Sequence, residues 1–341
     1  MWNGSEVVVR MRRTSDRIKL GSLLGVAGVV ALTLLGAARA EGPLESACRL
    51  RDGEPLAPVF APVLDVSRVE LGRSLFHDKR LSKGDQISCA TCHPVERYGA
   101  DGQARSAGVD GALGSIHTPT VLNSGLNFRQ FWDGRAATLE EQVDGPTHNP
   151  LEMASEWSRI LGKLRADRAL VQHFERVYGR GPDAAGVRDA IATYERSLVT
   201  PGSRLDRYLC GEDGALSPEE LHGYELFKGL GCVSCHQGQN VGGNMYQRFG
   251  VMGDYFEARG APTEADLGRY NVTGREEDRH VFKVPGLRNV ARTAPYFHDG
   301  SARTLRDAVR TMGEYQLGRS LSDEEVQRLV AFLDALTGEL P

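Results

Sequence analysis

The chain has 341 residues, of which 40% are hydrophobic and 25% are charged. This composition is typical of a soluble globular protein and excludes the fibrous and disordered classes. The formal net charge of −4 argues against a nucleic-acid partner, because such binding needs clustered lysine and arginine. At about 150 residues per domain, the length predicts two domains.

The first forty residues have the pattern of a signal peptide. Basic residues between Arg10 and Lys19 precede an apolar stretch from Leu20 to Ala38, and Ala38-Arg39-Ala40 provides a cleavage site of small residues. We expect cleavage after residue 40 and a mature protein in the periplasm. A retained membrane anchor is the alternative, because the apolar stretch is close to the length that spans a bilayer.

Two complete C-x-x-C-H motifs follow in the mature chain. This spacing lets two thiols bond covalently to the vinyl groups of one haem while the adjacent histidine binds its iron. Zinc half-sites and redox dithiols are alternatives, but zinc ribbons place their halves about 15–20 residues apart, whereas these motifs begin at residues 89 and 232. The sequence therefore predicts two covalently bound haem c groups. Their attachment residues are Cys89, Cys92, Cys232 and Cys235, and their proximal ligands are His93 and His236.

The segments around the two motifs repeat in the same order. Each half has a Leu-Phe pair before its motif, then P-x-x-x-N, then Asp-Gly after an aromatic pair, then Thr-Leu at the start of a predicted helix. The paired segments are 75–76 and 226–227, 119–123 and 285–289, 131–135 and 297–301, and 138–139 and 304–305. We expect an internal duplication that gives an N-terminal haem domain at 41–205 and a C-terminal haem domain at 206–341.

Helices are the regular structure that the sequence predicts. Ser217 and Ser322 each begin a capping box with glutamate three residues later, which is typical of a helix N-terminus. No alternating pattern of useful strand length is found. The predicted fold class is therefore all-α, with two cytochrome c-like haem domains and long loops around the haems.

With these features, the sequence closely resembles the bacterial di-haem cytochrome c peroxidase family, which includes the MauG-type enzymes. The matching stretches cover most of residues 70–340 and are LGRSLFHDKRLS, ISCATCH, TPTVLNSGLNFRQFWDGRAATLEEQ, GPTHNPLEM, LFKGLGCVSCH, VPGLRNVARTAPYFHDGS and TMGEYQLG. The resemblance implies a peroxidatic haem in the N-terminal domain and an electron-transfer haem in the C-terminal domain. It also implies reduction of hydrogen peroxide with electrons from a small cytochrome c or a cupredoxin, and we expect a homodimer.

The resemblance implies roles for further residues. Met312 matches the distal methionine ligand of the second haem, a position where MauG-type enzymes have tyrosine. Trp132 matches the tryptophan between the two haems, and Glu152 and Gln142 match the carboxylate and amide over the peroxidatic haem. His148 is an alternative proton carrier for that pocket, although a surface position in a loop is the simpler interpretation.

Calcium is a further expectation from the resemblance. Thr293 and Pro295 match positions whose carbonyl groups bind a calcium ion between the domains. The family's third protein ligand is asparagine, and here that position is His117, whose imidazole is a poor ligand for an ion that prefers oxygen. We therefore expect a calcium ion, with matching ligands at only two of the three family positions.

The sequence leaves three alternatives open. Cys48 and Cys210 either form a disulfide, which the export compartment would favour, or remain unpaired thiols. Val109 stands where many family members have a histidine on the resting peroxidatic iron, which predicts an open iron site, with His117 as the alternative ligand. A MauG-like enzyme that oxidises a protein side chain, and a di-haem electron carrier without catalysis, are the competing functions.

Overall fold

The computed structural model describes residues 48–341, so the predicted signal peptide lies outside the described residues. The described chain is mostly helical, in agreement with the expected fold class. The helices are α1 (Val66–Phe76), α2 (Cys89–Cys92), α3 (Leu139–His148), α4 (Trp157–Arg165), α5 (Arg168–Tyr178), α6 (Ala184–Ser197), α7 (Arg204–Leu209), α8 (Pro218–Gly229), α9 (Tyr255–Arg259), α10 (Tyr270–Thr273), α11 (Leu305–Leu317) and α12 (Asp323–Asp334). Within residues 48–341, none of them is both long and apolar enough to cross a membrane.

The strands β1 (Tyr246–Arg248) and β2 (Val281–Lys283) form a small antiparallel pair that the sequence pattern did not predict. Each strand has three residues, which is too short for an alternating pattern to be visible. The pair matters because β2 lies beside the second C-x-x-C-H motif and carries Lys283, discussed below.

Several helices begin where the sequence predicts. The side chains of Ser217 and Ser322 accept hydrogen bonds from backbone N–H groups three residues later, and in both cases the glutamate completes the capping box. Thr138 and Thr304 cap α3 and α11 in the same way, each through its side-chain oxygen. These caps satisfy backbone donors that a helix cannot satisfy internally, and they are local enough to be recognised from sequence.

The two largest hydrophobic clusters of the described chain form its two cores. The first is built by α1, α3, α4, α5 and α6, with Phe76, Phe174 and Ile191 among its fully buried members. The second is built by α7, α8, α11 and α12, with Tyr224 and Phe332 among its buried members. Each core lies next to one C-x-x-C-H motif, since Cys89 packs against the first and Cys232 against the second.

A glycine marks one helix crossing in each core. A Cβ atom on Gly72 of α1 would overlap the carbonyl of Ala190 on α6, and a Cβ on Gly223 of α8 would overlap the carbonyl of Arg328 on α12. In both places the next neighbour is the Cβ of an aromatic residue one turn further on, Tyr194 or Phe332. The two halves therefore use the same close backbone approach, between α1 and α6 in the first and between α8 and α12 in the second.

The P-x-x-x-N repeat also has the same backbone in both halves. Asn123 and Asn289 have identical left-handed dihedral angles, φ 61° and ψ 12°. Both side-chain amides donate to a single acceptor, the hydroxyl of Thr200, at 2.8 and 2.9 Å. Thr200 lies in the segment between the two cores, so the repeated asparagines hold that connection from both sides.

The segment before α1 packs on the second core. Cys48 and Cys210 form a disulfide, which decides between the two alternatives left open by the sequence. Leu56 belongs to the second core, and the backbone N–H of Val59 donates to the buried carboxylate of Asp206 at 3.1 Å. Arg288, fully buried, pairs with the same carboxylate at 2.8 Å.

Candidate functional site

The histidine of the second C-x-x-C-H motif, His236, has one ring nitrogen free to bind a metal. His236 Nδ1 lies 3.3 Å from the carbonyl oxygen of Val241. A carbonyl can only accept, so Nδ1 carries the proton and the lone pair of Nε2 is free to bind a metal. Burial lowers the pKa of His236 to about 4, which keeps the ring in its neutral, ligating form.

A cavity of about 530 Å³ lies beside this histidine. Cys232, Cys235 and His236 line it, and Met312 from α11 lines it as well. Most of the remaining wall is apolar. The volume lies in the range of pockets that hold cofactors, which are about 300–1,000 Å³. The apolar cavity therefore has two cysteines that could attach a c-type haem, and an imidazole and a thioether that could bind its iron.

The first C-x-x-C-H motif repeats the histidine arrangement. His93 Nδ1 lies 3.1 Å from the carbonyl oxygen of Gly99, and burial lowers the pKa of His93, so Nε2 of this ring is also free. Burial raises the pKa of Cys89 to about 12 and that of Cys92 to about 11. The motif therefore holds two neutral thiols and a neutral imidazole.

Glu152 lies near enough to the first motif to affect both of its thiols. Its negative charge contributes to the raised pKa of both Cys89 and Cys92. The carboxyl is largely buried, and this burial raises the pKa of Glu152. Asn149, which sequence reasoning did not single out, donates its Nδ2 hydrogen bond to Glu152 Oε1 at 2.7 Å.

The loop at residues 106–114 is attached to the backbone of Glu152. Val109, which is buried, donates its N–H to the carbonyl oxygen of Glu152 at 2.8 Å. A Cβ on Gly108 would overlap the carbonyl of Leu151, so only glycine allows this close approach. The loop that carries Val109 and the residue that carries the buried carboxyl are therefore held together.

Two other candidates for the same pocket differ in their surroundings. Gln142 is half-buried on α3, and its side chain makes no hydrogen bond within residues 48–341. His148 is exposed, its Nδ1 lies 3.1 Å from the carbonyl oxygen of Ser155, and its ring packs edge-on against Trp157. The structure thus places His148 at the surface, as the simpler interpretation had it, but at the end of α3 and not in a loop.

Trp132 connects the first half of the chain to the second cavity. Its ring lines that cavity, and its Nε1 donates to the carbonyl oxygen of His117 at 2.9 Å. Its own carbonyl oxygen accepts from the backbone N–H of Lys283 on β2 at 2.8 Å. The tryptophan is fixed at both its side chain and its backbone.

The residues predicted for calcium lie along the same cavity. Thr293, Pro295 and His117 all line it. The His117 ring is buried, with Nδ1 2.9 Å from the carbonyl oxygen of Gln103. It offers no oxygen, so calcium binding would depend on the two carbonyl groups and water, and the ion stays a prediction.

Next to the two motifs, sequence reasoning did not single out the buried ionisable residues Glu195 and Lys283. Glu195 on α6 is buried, lies near enough to Cys89 to raise its pKa, and has one carboxyl oxygen without a hydrogen-bond partner among the described residues. Burial raises the pKa of Glu195 to about 8. Lys283 is buried in the wall of the second cavity. Neither is part of a recognisable motif, so only the three-dimensional structure reveals them.

Comparisons with known proteins are consistent with this geometry. Residues 66–214 match the family model described as di-haem cytochrome c peroxidase. The chain is 47% identical over 287 residues to the cytochrome c peroxidase Ccp of Escherichia coli (strain K12), an alignment that covers 84% of this chain and 61% of that protein. It is 47% identical over 291 residues to the cytochrome c551 peroxidase of Nitrosomonas europaea, covering 84% of this chain and 85% of that protein. Among solved structures, a MauG-like protein associated with microbial copper homeostasis superposes with a TM-score of 0.73 at 28% identity, covering 85% of this chain and 95% of the other.

Proposed function

The chain belongs to the di-haem cytochrome c peroxidase family, and we propose that it is a periplasmic enzyme that reduces hydrogen peroxide to water with electrons from a small cytochrome c or a cupredoxin. The observation that carries this proposal is the buried Glu152 carboxyl beside the first C-x-x-C-H motif. The peroxidases of Escherichia coli and Nitrosomonas europaea are each identical to this chain at 47% of the aligned residues, which supports the same reaction class.

The residues present fit two haem c groups, one at each motif. We assign attachment to Cys89 and Cys92 for the first and to Cys232 and Cys235 for the second. When bound, the two haems supply an iron centre that takes up peroxide and a second centre that stores and passes on electrons. The proximal ligands would be His93 and His236, both of which keep a free Nε2.

Glu152 provides the proton chemistry. Reduction of hydrogen peroxide to two water molecules consumes two electrons and two protons, and cleavage of the O–O bond needs a proton moved from one oxygen to the other. A carboxylate can accept the first proton and return it to the departing oxygen. The raised pKa brings Glu152 closer to the operating pH, and the hydrogen bond from Asn149 orients it.

Electrons enter through the second half of the chain in this proposal. Met312 lines the second cavity, and together with His236 it would bind the iron of the second haem. Methionine as an axial ligand raises the reduction potential of a haem, which suits acceptance of electrons from an external donor. Trp132, held between His117 and Lys283, lies where electrons would pass to the first haem.

The first iron site is open in this proposal. Valine has no lone pair, and Val109 is buried with its backbone N–H bonded to Glu152. His117 is held by three hydrogen bonds that involve its ring, its N–H and its carbonyl oxygen. These contacts support peroxide binding by the oxidised protein without prior reduction.

The common backbone of the two halves supports an internal duplication. The matched crossings at Gly72 and Gly223, and the matched turns at Asn123 and Asn289, occur in the same order in both halves. We infer two domains with the boundary near residue 205, close to the connection held by Thr200. The expected calcium ion and homodimer remain part of the proposal.

A steady-state assay of the di-haem protein tests the function. Reduced small cytochrome c, and separately a reduced cupredoxin, are mixed with the protein and peroxide, and oxidation of the donor is followed. Peroxide-dependent oxidation of either donor supports the proposal. Oxidation of a partner protein's side chain without donor turnover would favour the MauG-like function that the structural similarity suggests, and no turnover would leave an electron carrier.

A further inference from the structure

Lys283 is a buried cation in an otherwise uncharged cavity wall. Only 8% of the residue is exposed, and it lines the same cavity as Cys232, Cys235 and His236. Apart from Lys283, the described residues around this cavity include no lysine, arginine, aspartate or glutamate. Its neighbours along the chain, Phe282 and Val284, are buried apolar residues.

The described chain gives this ammonium group no partner. No hydrogen bond and no ion pair of the Lys283 side chain is found within residues 48–341, whereas Lys163 and Lys228 each pair with a carboxylate. Burial alone lowers the pKa of Lys283 to about 8, with no acidic group compensating. A buried charge is strongly unfavourable unless it is paired. The charged form of Lys283 would therefore be stabilised by an anion that the described chain does not provide.

The haem that fits this cavity brings such an anion. A c-type haem is attached by its vinyl groups through the two cysteines, and its two propionates are carboxylates on another edge of the ring. We propose that the Lys283 ammonium pairs with a propionate of the haem attached at Cys232 and Cys235. This inference rests on the proposed function only in requiring that a haem is bound there.

The pairing also joins the second haem to the tryptophan segment. The backbone N–H of Lys283 donates to the carbonyl oxygen of Trp132 at 2.8 Å. Lys283 would then fix the haem through its side chain and Trp132 through its backbone. It is a positioning residue for the path between the two haems.

The test replaces the charge and follows the potential of each haem. Lys283→Met removes the ammonium while keeping an unbranched side chain, and Lys283→Arg restores a cation. Lys79→Met, at an exposed position, is the control for loss of one positive charge. Haem content is counted first, and both reduction potentials are then measured by spectroelectrochemical titration from acidic to alkaline pH.

We expect the second-haem potential of Lys283→Met to fall below that of the wild type near neutral pH, because loss of the ammonium leaves the negative charge of the propionate unbalanced, and that charge favours ferric iron. The difference should persist at acidic pH, where Lys283 keeps its charge, and the two curves should converge at alkaline pH, where Lys283 loses its proton. Lys283→Arg should match the wild type near neutral pH and keep the higher potential at alkaline pH, and Lys79→Met should follow the wild type throughout. If Lys283→Met fails to retain the second haem, Lys283→Gln serves for the same titration.

Two outcomes would overturn the pairing: superimposable second-haem curves for the wild type and Lys283→Met, or a shift confined to the first haem. Absence of the second haem from the wild-type protein would contradict the proposed function itself, and the haem count shows this separately from the potentials.

Discussion

Replacement of Glu152 by glutamine should remove most of the peroxidase activity while leaving the site intact. Glutamine has the size of glutamate and keeps an oxygen that can accept the 2.7 Å hydrogen bond from Asn149. The backbone bond between Val109 and residue 152 does not depend on the side chain. Only the ionisable proton is lost, so Glu152→Gln isolates the proton transfer.

The size of the effect follows from the role. General acid–base catalysis typically contributes about 10²–10⁴-fold to the rate, which corresponds to about 3–5 kcal/mol in the activation barrier. Because burial raises the pKa of Glu152, the wild-type rate should fall as the pH drops through that raised pKa and the carboxylate becomes protonated before it can accept a proton from peroxide. In Glu152→Gln this acid limb should be absent.

The assay is steady-state oxidation of reduced donor by peroxide over a range of pH, with haem content and spectra measured on the same samples. Glu141→Gln is the matched control, since Glu141 is exposed in the first turn of α3. Wild-type turnover by Glu152→Gln with both haems in place would refute the proton-transfer role and make Gln142 the next group to test.

Three further predictions concern the second iron, the first iron and stability. Met312→Tyr should lower the potential of the second haem and slow donor-dependent turnover, and unchanged potentials in a redox titration would exclude Met312 as a ligand. The oxidised protein should show a high-spin ferric signal in electron paramagnetic resonance, and a purely low-spin spectrum that changes in His117→Ala would instead make His117 the ligand of the first iron. Burial raises the pKa of Glu195 from its usual 4.5 to about 8, so the folded state holds a proton that the unfolded state releases, and stability falls as the pH rises through that window. Glu195→Gln should abolish this pH dependence and be more stable than the wild type near pH 8, by up to about 4 kcal/mol at about 1.4 kcal/mol per pKa unit. A stability difference between the two proteins that is the same at pH 5 and pH 8 would contradict this.

The local features of this protein can be predicted from its sequence. A capping box such as the one at Ser217 involves four consecutive residues, and a C-x-x-C-H motif places two attachment cysteines and one histidine ligand within five. The resemblance to a family then directs attention to Glu152 and Met312, which the structure places beside the first motif and in the wall of the second cavity.

Features that depend on distant contacts could not be predicted in this way. Glycine at positions 72 and 223 looks unremarkable in sequence, because the carbonyl groups that exclude a side chain come from helices more than 100 residues further along the chain. Cys48 and Cys210 are 162 residues apart, so the sequence could offer their pairing only as one of two alternatives. Lys283 looks like any surface lysine, and only the apolar cavity around it shows that its charge is buried.

The central claim is that the protein itself passes two electrons to one molecule of peroxide. An anaerobic titration of the fully reduced di-haem protein with hydrogen peroxide, followed by the absorbance of both haems, measures this directly. The proposal predicts that one equivalent of peroxide oxidises both haems completely and quickly in the wild type, and slowly in Glu152→Gln. Haems that stay reduced after one equivalent of peroxide, or an oxidation rate that is the same in both proteins, would contradict it.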